Sequence, residues 1–416
     1  MMRTGVVVIV FFIGMTACKL QATPESKIYT ITPSVADKTP VVAGKGRTFY
    51  VDVKGSDTNP GTEKKPWRTI QYAGITAKYS DTILVRGGEY QEEQIWLRAE
   101  HGHCGNKNGF LTIRNFPDEL VLLTNGNRPF IVECDYLQVQ GLHFQNGKSL
   151  GSRGVHRNHL QFVNNTFKGS GYAYDAISAE GNNILIEGNT CDINGNTQGT
   201  QGHCYYIHHG SNITIRNNIA KGATGYGIHV FDQRRGEDPA DFERLIQNVL
   251  IEGNTLRDSE QRAGVIVAAY DHARVENVII RNNLIYNNNG SGIVIRSASK
   301  NVQVYNNTVF NNGSHAVGLY TSDGNLIDGL DIKNNIFVIN DGRRISHIDT
   351  GGVEKIQNLN LTGNFYGPDI SPRLKNLSDD KGISGVPDFV NPDIYNLRLK
   401  ANSPATGFGA YGSQQK

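Results

Sequence analysis

Two short segments concentrate side chains that can move protons. Gly202 to His209 reads G-H-C-Y-Y-I-H-H and holds three of the chain's 12 histidines, His203, His208 and His209. Tyr226 to Asp232 reads Y-G-I-H-V-F-D and adds His229. Histidine gains or loses its proton nearest neutrality, so it is the side chain best suited to act as a base there. The phenols of Tyr206 and Tyr226 are weak acids beside it, and Arg296, in the segment I-V-I-R, adds a permanent cation. Each segment alternates apolar with polar or aromatic residues, the period of a strand with one face inward. The chemistry depends on whether separate strands bring these groups together.

Ten segments with nearly the same ending supply those strands. They read IRN, VQG, VNN, IEGN, IRNN, IEGN, IRNN, YNN, IKNN and LTGN, and the first small residue falls at Asn115, Gly141, Asn164, Gly188, Asn217, Gly253, Asn282, Asn306, Asn334 and Gly363. The steps are 26, 23, 24, 29, 36, 29, 24, 28 and 29 residues. That period, with triplets such as Val278-Ile279-Ile280 rich in β-branched residues before the turns, marks a stacked solenoid whose units complete one another's core. No run at helical period lies within the repeats, which excludes crossover helices and an α/β fold. The expectation is all-β: a right-handed parallel β-helix. Asn tolerates the left-handed backbone of a sharp bend, and Gly takes its place where only permissiveness counts. The following Asn, present in eight units from Asn165 to Asn364, is placed to hydrogen-bond coil to coil as a scaffold ladder.

Aligning the units on this ladder puts Ile177, Ile207, Val230, Val267, Ile295 and Leu319 in one inward column. Their neighbours then point outward in pairs: Ala176 with Ser178, Tyr206 with His208, His229 with Phe231, Ile266 with Ala268, Val294 with Arg296, and Gly318 with Tyr320. Tyr206 and His229 fall on adjacent coils, about 4.8 Å apart at the backbone. The longest step inserts D-Q-R-R-G-E-D-P-A-D-F-E-R from Asp232 to Arg244. Its carboxylates, Asp232, Asp238 and Asp241 among them, offer oxygen ligands for Ca²⁺ or partners for Arg234, Arg235 and Arg244.

The ends differ from the repeats. Residues 1–18 carry Arg3, the apolar run V-V-V-I-V-F-F-I-G-M and a small-residue ending, as in an export signal. The Met-Thr-Ala-Cys ending resembles a bacterial lipoprotein signal, which implies lipidation of Cys18 and sorting to an outer membrane, with simple secretion as the alternative. Residues 19–47 read as a tether. Residues 48–90 form an N-terminal cap and first coil, with a helix expected from Pro66 carrying Ile70, Ala73, Ile75 and Ala77. Coils follow over 91–365, and a C-terminal cap over 366–410 completes the solenoid at 48–410. The four cysteines beyond Cys18 allow three disulfide pairings.

The segments G-S-D-x-N-P-G-T, P-W-x-T-I-Q and D-T-I-L-V-x-G-G-E-Y, joined to the Asn ladder, resemble the pectate-lyase-like superfamily over residues 48–410. H-x-x-Y-I and Y-G-I-H resemble a pair found in its lyases and epimerases, which implies site roles for His203, Tyr206, Tyr226 and His229. The chain departs from that pattern at Cys204, where Gly is usual. It also lacks the Asp-Pro-His-Asp segment of mannuronan epimerases, which counts against epimerisation.

The function expected is action on a polysaccharide. A net charge of +2 gives no footprint for nucleic acid, and no P-loop, dinucleotide fingerprint, HExxH or paired CxxC occurs. The protein is expected to be an elongated monomer that meets a membrane only through a lipid anchor. Eliminating across the acidic C–H of a uronate needs a base, an acid and a cation, and His229, Tyr206 and Arg296 fill those roles, with His203 and His208 beside them. Tyr226, Phe231, Tyr270 and Tyr320 are the expected sugar-contacting rings. A hydrolase would need two carboxylates about 5 Å or about 9–10 Å apart, from Asp175, Asp232 and Asp271. A non-catalytic glycan binder would need the rings alone.

Overall fold

The structure is a computed structural model, and it describes residues 46–412 apart from 102–103, 126–128, 155, 170–174, 194–200, 234–242, 271, 322–324, 340–345, 351–354, 368–373 and 375–376. The signal segment, Cys18 and the tether up to residue 45 lie outside the described residues, as do Asp238, Asp241 and Asp271.

Each coil runs through three parallel strands in a fixed order. A groove sheet extends from Ile95–Arg98 to Ile348–Thr350, and a ladder sheet from Thr48–Val51 to Ile356–Thr362. A back sheet of 12 strands runs from Gly88–Tyr90 to Ile383–Ser384. Groove and ladder sheets merge because one strand, Tyr205–Arg216, passes through both. Every pairing within these sheets is parallel, which with three strands per coil makes a parallel β-helix. Alternation makes the core: Ile213 and Ile215, Val249 and Ile251, Val278 and Ile280, and Val302 and Val304 are buried in successive coils of the ladder sheet.

The two residues of each Asn turn divide the work. The first is left-handed, with φ of 53–56° at Asn164, Asn217, Asn282, Asn306 and Asn334 and 64–70° at Gly141, Gly188, Gly253 and Gly363. The second is buried. Asn165, Asn189, Asn218, Asn254, Asn283, Asn307, Asn335 and Asn364 form an unbroken chain in which each Nδ2 donates to the next Oδ1 at 2.9–3.1 Å. Asp379 ends the ladder by accepting from Asn364 N and Nδ2. The first unit differs from expectation, because there the left-handed residue is Asp118 in the Phe-Pro-Asp turn and Asn115 stays in its strand.

A second ladder escaped the sequence reading. Asn183, Asn212, Asn248, Asn277 and Asn301, all left-handed, join the groove sheet to the ladder sheet. Each donates to the Asn of the preceding coil at 3.0–3.1 Å, opposite in direction to the first ladder. Its signal was present: each of these Asn residues immediately precedes a strand triplet whose first and third residues are apolar.

The cap helix spans Ile70–Thr76 and begins four residues later than Pro66 suggested. Trp67 stays extended, paired with Tyr50 and stacked on Phe49 at 4.6 Å. Thr69 is the N-cap, and Glu92 accepts from the N–H groups of Ile70 and Gln71 at the helix start. At the other end, the hairpin Phe389–Asn391 and Asn396–Leu399 lies along the outer side of the back sheet, with Tyr395 stacked on Tyr286 at 4.5 Å. The C-terminal segment therefore covers a flank of the solenoid, with Ala410 N bonded to Thr308 Oγ1.

Disulfides join Cys104 to Cys134 and Cys191 to Cys204, selecting one of the three pairings. The second bond ties the back sheet to the start of the strand that carries Tyr206.

Candidate functional site

The outward column of the groove sheet runs in register through Ser178, Tyr206, His229, Ile266, Val294, Gly318 and Asp349. Strand alternation aims these side chains away from the core because Ala179, Ile207, Val230, Val267, Ile295 and Leu319 fill it. Ala179, not Ile177, is the inward partner of Ile207; Ile177 pairs with Tyr205. The first coil of the alignment was thus offset by two residues, which preserves the buried face.

Tyr206 and His229 stack with ring centroids 4.2 Å apart and planes 22° apart. Phe231 continues the stack 5.1 Å from His229. His203 enters from the preceding turn, 4.3 Å from His229, and Tyr226 closes a triangle with them, 5.4 Å from His203 and 4.8 Å from His229. The Tyr226 N–H donates to His203 Nδ1 at 2.8 Å, which leaves the neutral ring's proton on Nε2. The structure therefore brings together His203, Tyr206, Tyr226, His229 and Phe231.

His208 belongs to the cluster by a different route. A bulge pairs Glu180 with His209, so His208 is the extra residue and does not continue toward Phe231. Its ring lies 3.6 Å from that of Tyr206, and its Nε2 meets Ser178 Oγ at 2.8 Å and Asp175 Oδ2 at 3.9 Å.

Burial sets the protonation of the cluster. It lowers His203 to about 3, with His208 and Arg262 adding repulsion, and it holds His229 well below its ordinary value. Both rings are neutral at pH 7 and so carry a lone pair able to accept a proton. Only 2% of His203 and 8% of His229 are exposed, and His203 Nε2 and His229 Nδ1 are buried with no hydrogen-bond partner.

Arg296 lies apart from this stack, two coils beyond Phe231 or about 10 Å at the strand spacing. Its guanidinium sits 5.4 Å from the Tyr270 ring, and Tyr270 in turn is 5.5 Å from Phe231. Tyr320 folds back over Gly318, beside Arg296 in register.

Asp232, expected as an oxygen ligand for Ca²⁺, is engaged by neighbouring side chains. Its carboxylate is buried, with one oxygen 2.8 Å from His209 Nδ1 and the other 3.4 Å from Arg244 Nη1. These contacts occupy the oxygens a cation would need. Asp175 is likewise committed to His208 and buried, which raises its carboxyl. Among the described residues, no three His, Cys, Asp or Glu side chains are grouped to hold a metal.

Arg262, His315 and Asp349 were missed. Arg262 stands in a turn, where period-two reading has no grip, yet its guanidinium approaches the Tyr226 ring at 5.9 Å. His315 Nε2 lies 3.4 Å from Asp349 Oδ2 at the far end of the outward column.

Two family models match parts of the chain: residues 244–375 match the right-handed β-helix region, and residues 53–96 match a family described as a protein of unknown function, DUF1565. The chain is also 35% identical over 81 residues to the uncharacterized protein YwoF of Bacillus subtilis (strain 168), a match covering 20% of this chain and 16% of that protein. Among solved structures, it is similar to the mannuronan C-5 epimerase A-module of Azotobacter vinelandii, with 15% identity, 85% and 98% of the two chains covered and a TM-score of 0.46. A pectate lyase shows 13% identity, 89% and 93% coverage and a TM-score of 0.46. A rhamnogalacturonan lyase shows 14% identity, 88% and 100% coverage and a TM-score of 0.45. Coil topology and the match over 244–375 make this chain a right-handed parallel β-helix protein.

Proposed function

We propose that the groove sheet binds an acidic, uronate-containing polysaccharide and cleaves it by β-elimination. The observation that supports this most is the Tyr206–His229 stack on an outward face, with His229 neutral. His229 takes the proton from the carbon beside the carboxylate, and the C–H electrons form the new double bond. The bond to the leaving oxygen breaks, and Tyr206 protonates that oxygen. Arg296 lies too far along the groove to reach that carboxylate; it meets the carboxylate of a neighbouring sugar unit and positions the polymer. Hydrolysis is disfavoured because Asp175 and Asp232 are engaged with other residues.

A second reading, glycan binding without catalysis, draws on the low exposure of His203 and His229, which suits a packed platform. Incubation with a panel of uronate polymers separates the two. Growth of ultraviolet absorbance from an unsaturated product is expected, whereas binding without absorbance favours the platform, and reducing sugar without absorbance favours hydrolysis.

We further propose export with lipidation at Cys18. Cys18→Ser is expected to move the protein out of the membrane fraction. A wild type already free in the medium overturns the anchor.

A further inference from the structure

Between the ring stack and the far end of the groove lies a patch that the mechanism above touches only through Arg296. Its floor is apolar and buried: Ile266, Ala268 and Val294 pack together with Ala263, and Tyr226, Phe231 and Tyr320 stand around them. Two guanidiniums overhang this floor. Arg262 reaches the Tyr226 ring at 5.9 Å and Arg296 the Tyr270 ring at 5.4 Å. Both arginines act on the Tyr226 hydroxyl, lowering its pKa against the burial that raises it.

The charges are out of balance here. Arg216, Arg244, Arg257, Arg274 and Arg281, the other arginines of these coils among the described residues, each face a carboxylate. Arg262 and Arg296 have no carboxylate partner among the described residues, and Arg296 Nε is buried without any acceptor. A buried donor left unmatched is costly, and two cations over one apolar floor repel each other. A ligand with an anionic group above an apolar face answers both costs.

We propose that Arg262, Arg296 and Tyr226 form a subsite for one carboxylate-bearing sugar ring, whose apolar face rests on the half-buried rings of Phe231 and Tyr320 that cover Ile266, Ala268 and Val294. Tyr226 and Tyr270 wall the ring, and the carboxylate accepts from the two guanidiniums. This deepens the acidic-glycan reading and rests on it: the subsite selects for negative charge, where aromatic platforms alone would take neutral and acidic glycans alike.

The test is calorimetric titration of the full chain with a galacturonate oligomer and with a neutral galactose oligomer of equal length. Wild type is expected to bind the acidic oligomer at least about tenfold more tightly. Arg262→Gln and Arg296→Gln are each expected to weaken acidic binding by about tenfold, the size of one lost charged hydrogen bond, and to leave neutral binding unchanged. Neither arginine is buried in the core, so circular dichroism should match wild type. Equal affinity for the two oligomers, or variants that bind like wild type, overturns the subsite while leaving the glycan reading intact. Failure of wild type to bind either oligomer overturns both.

Discussion

His229 stacks on Tyr206 at 4.2 Å because the two occupy paired register positions on successive coils, 23 residues apart in sequence. In-register pairing sets the two Cα atoms one strand spacing apart, which brings the rings together in these rotamers. His229→Ala and Tyr206→Phe are each expected to lower turnover on a uronate polymer by about two to four orders of magnitude, the range for a lost acid or base. Far-ultraviolet circular dichroism should not change, since neither side chain faces the core. Full activity in either variant returns that ring to packing.

The pH profile checks the same ring. A depressed pKa keeps His229 unprotonated to lower pH, so the acid limb of kcat/KM should fall well below pH 6.5. An acid limb near 6.5 would mean that a solvent-exposed histidine is the base.

The ladder separates two kinds of asparagine. Asn254 donates to Ile215 O and Asn283 Oδ1 and accepts from Asn218, all while buried. Asn254→Ala should therefore cost about 3 kcal/mol or more in urea unfolding, since several buried groups lose partners at once. Asn282→Gly, at φ 56° in the position where other units carry Gly, should be close to neutral. Similar losses at both positions would contradict the division of labour.

Lys148 is 1% exposed, and its ammonium donates to the carbonyls of Glu92 and Glu93 at 3.0 and 3.1 Å. Burial lowers its pKa from 10.5 to about 8. The unfolded chain then holds the proton where the folded chain has released it, so this residue's contribution to stability rises with pH from about 8 to 10.5. Lys148→Met should remove that rise, read as the wild-type minus variant difference across the window, and should leave the protein at least as stable at pH 7. A difference independent of pH would show that the lysine pays no burial penalty.

Cys204 stands next to His203 and two residues before Tyr206, and its bond to Cys191 closes a sequence separation of 13. Peptide mapping without reduction should recover Cys191–Cys204 and Cys104–Cys134 as cross-linked pairs. Cys191→Ser with Cys204→Ser should cost about 3 kcal/mol, as for a loop of this length. Recovery of any other pairing overturns the assignment.

The repeating ladder, the alternating triplets and the outward pairing of Tyr206 with His229 were legible because each depends on local period: a strand alternates every two residues, and a turn demands a left-handed residue at fixed intervals. The same rule explains where reading failed. The bulge that turns His208 toward Ser178 shifts register by one residue and leaves no mark in composition. The start of the cap helix was decided by Trp67 pairing with Tyr50 and by the Glu92 carboxylate, both distant in sequence. Asp232 looked like a cation ligand until folding placed His209 and Arg244 on its two oxygens. Arg262 joined the site only through the coil that carries Tyr226 beneath it. Sequence alone determined that Tyr206 and His229 face outward on adjacent coils. Tertiary structure decided which of the site residues are buried, paired or left with an unmatched charge, because those properties depend on neighbours that the chain order does not specify.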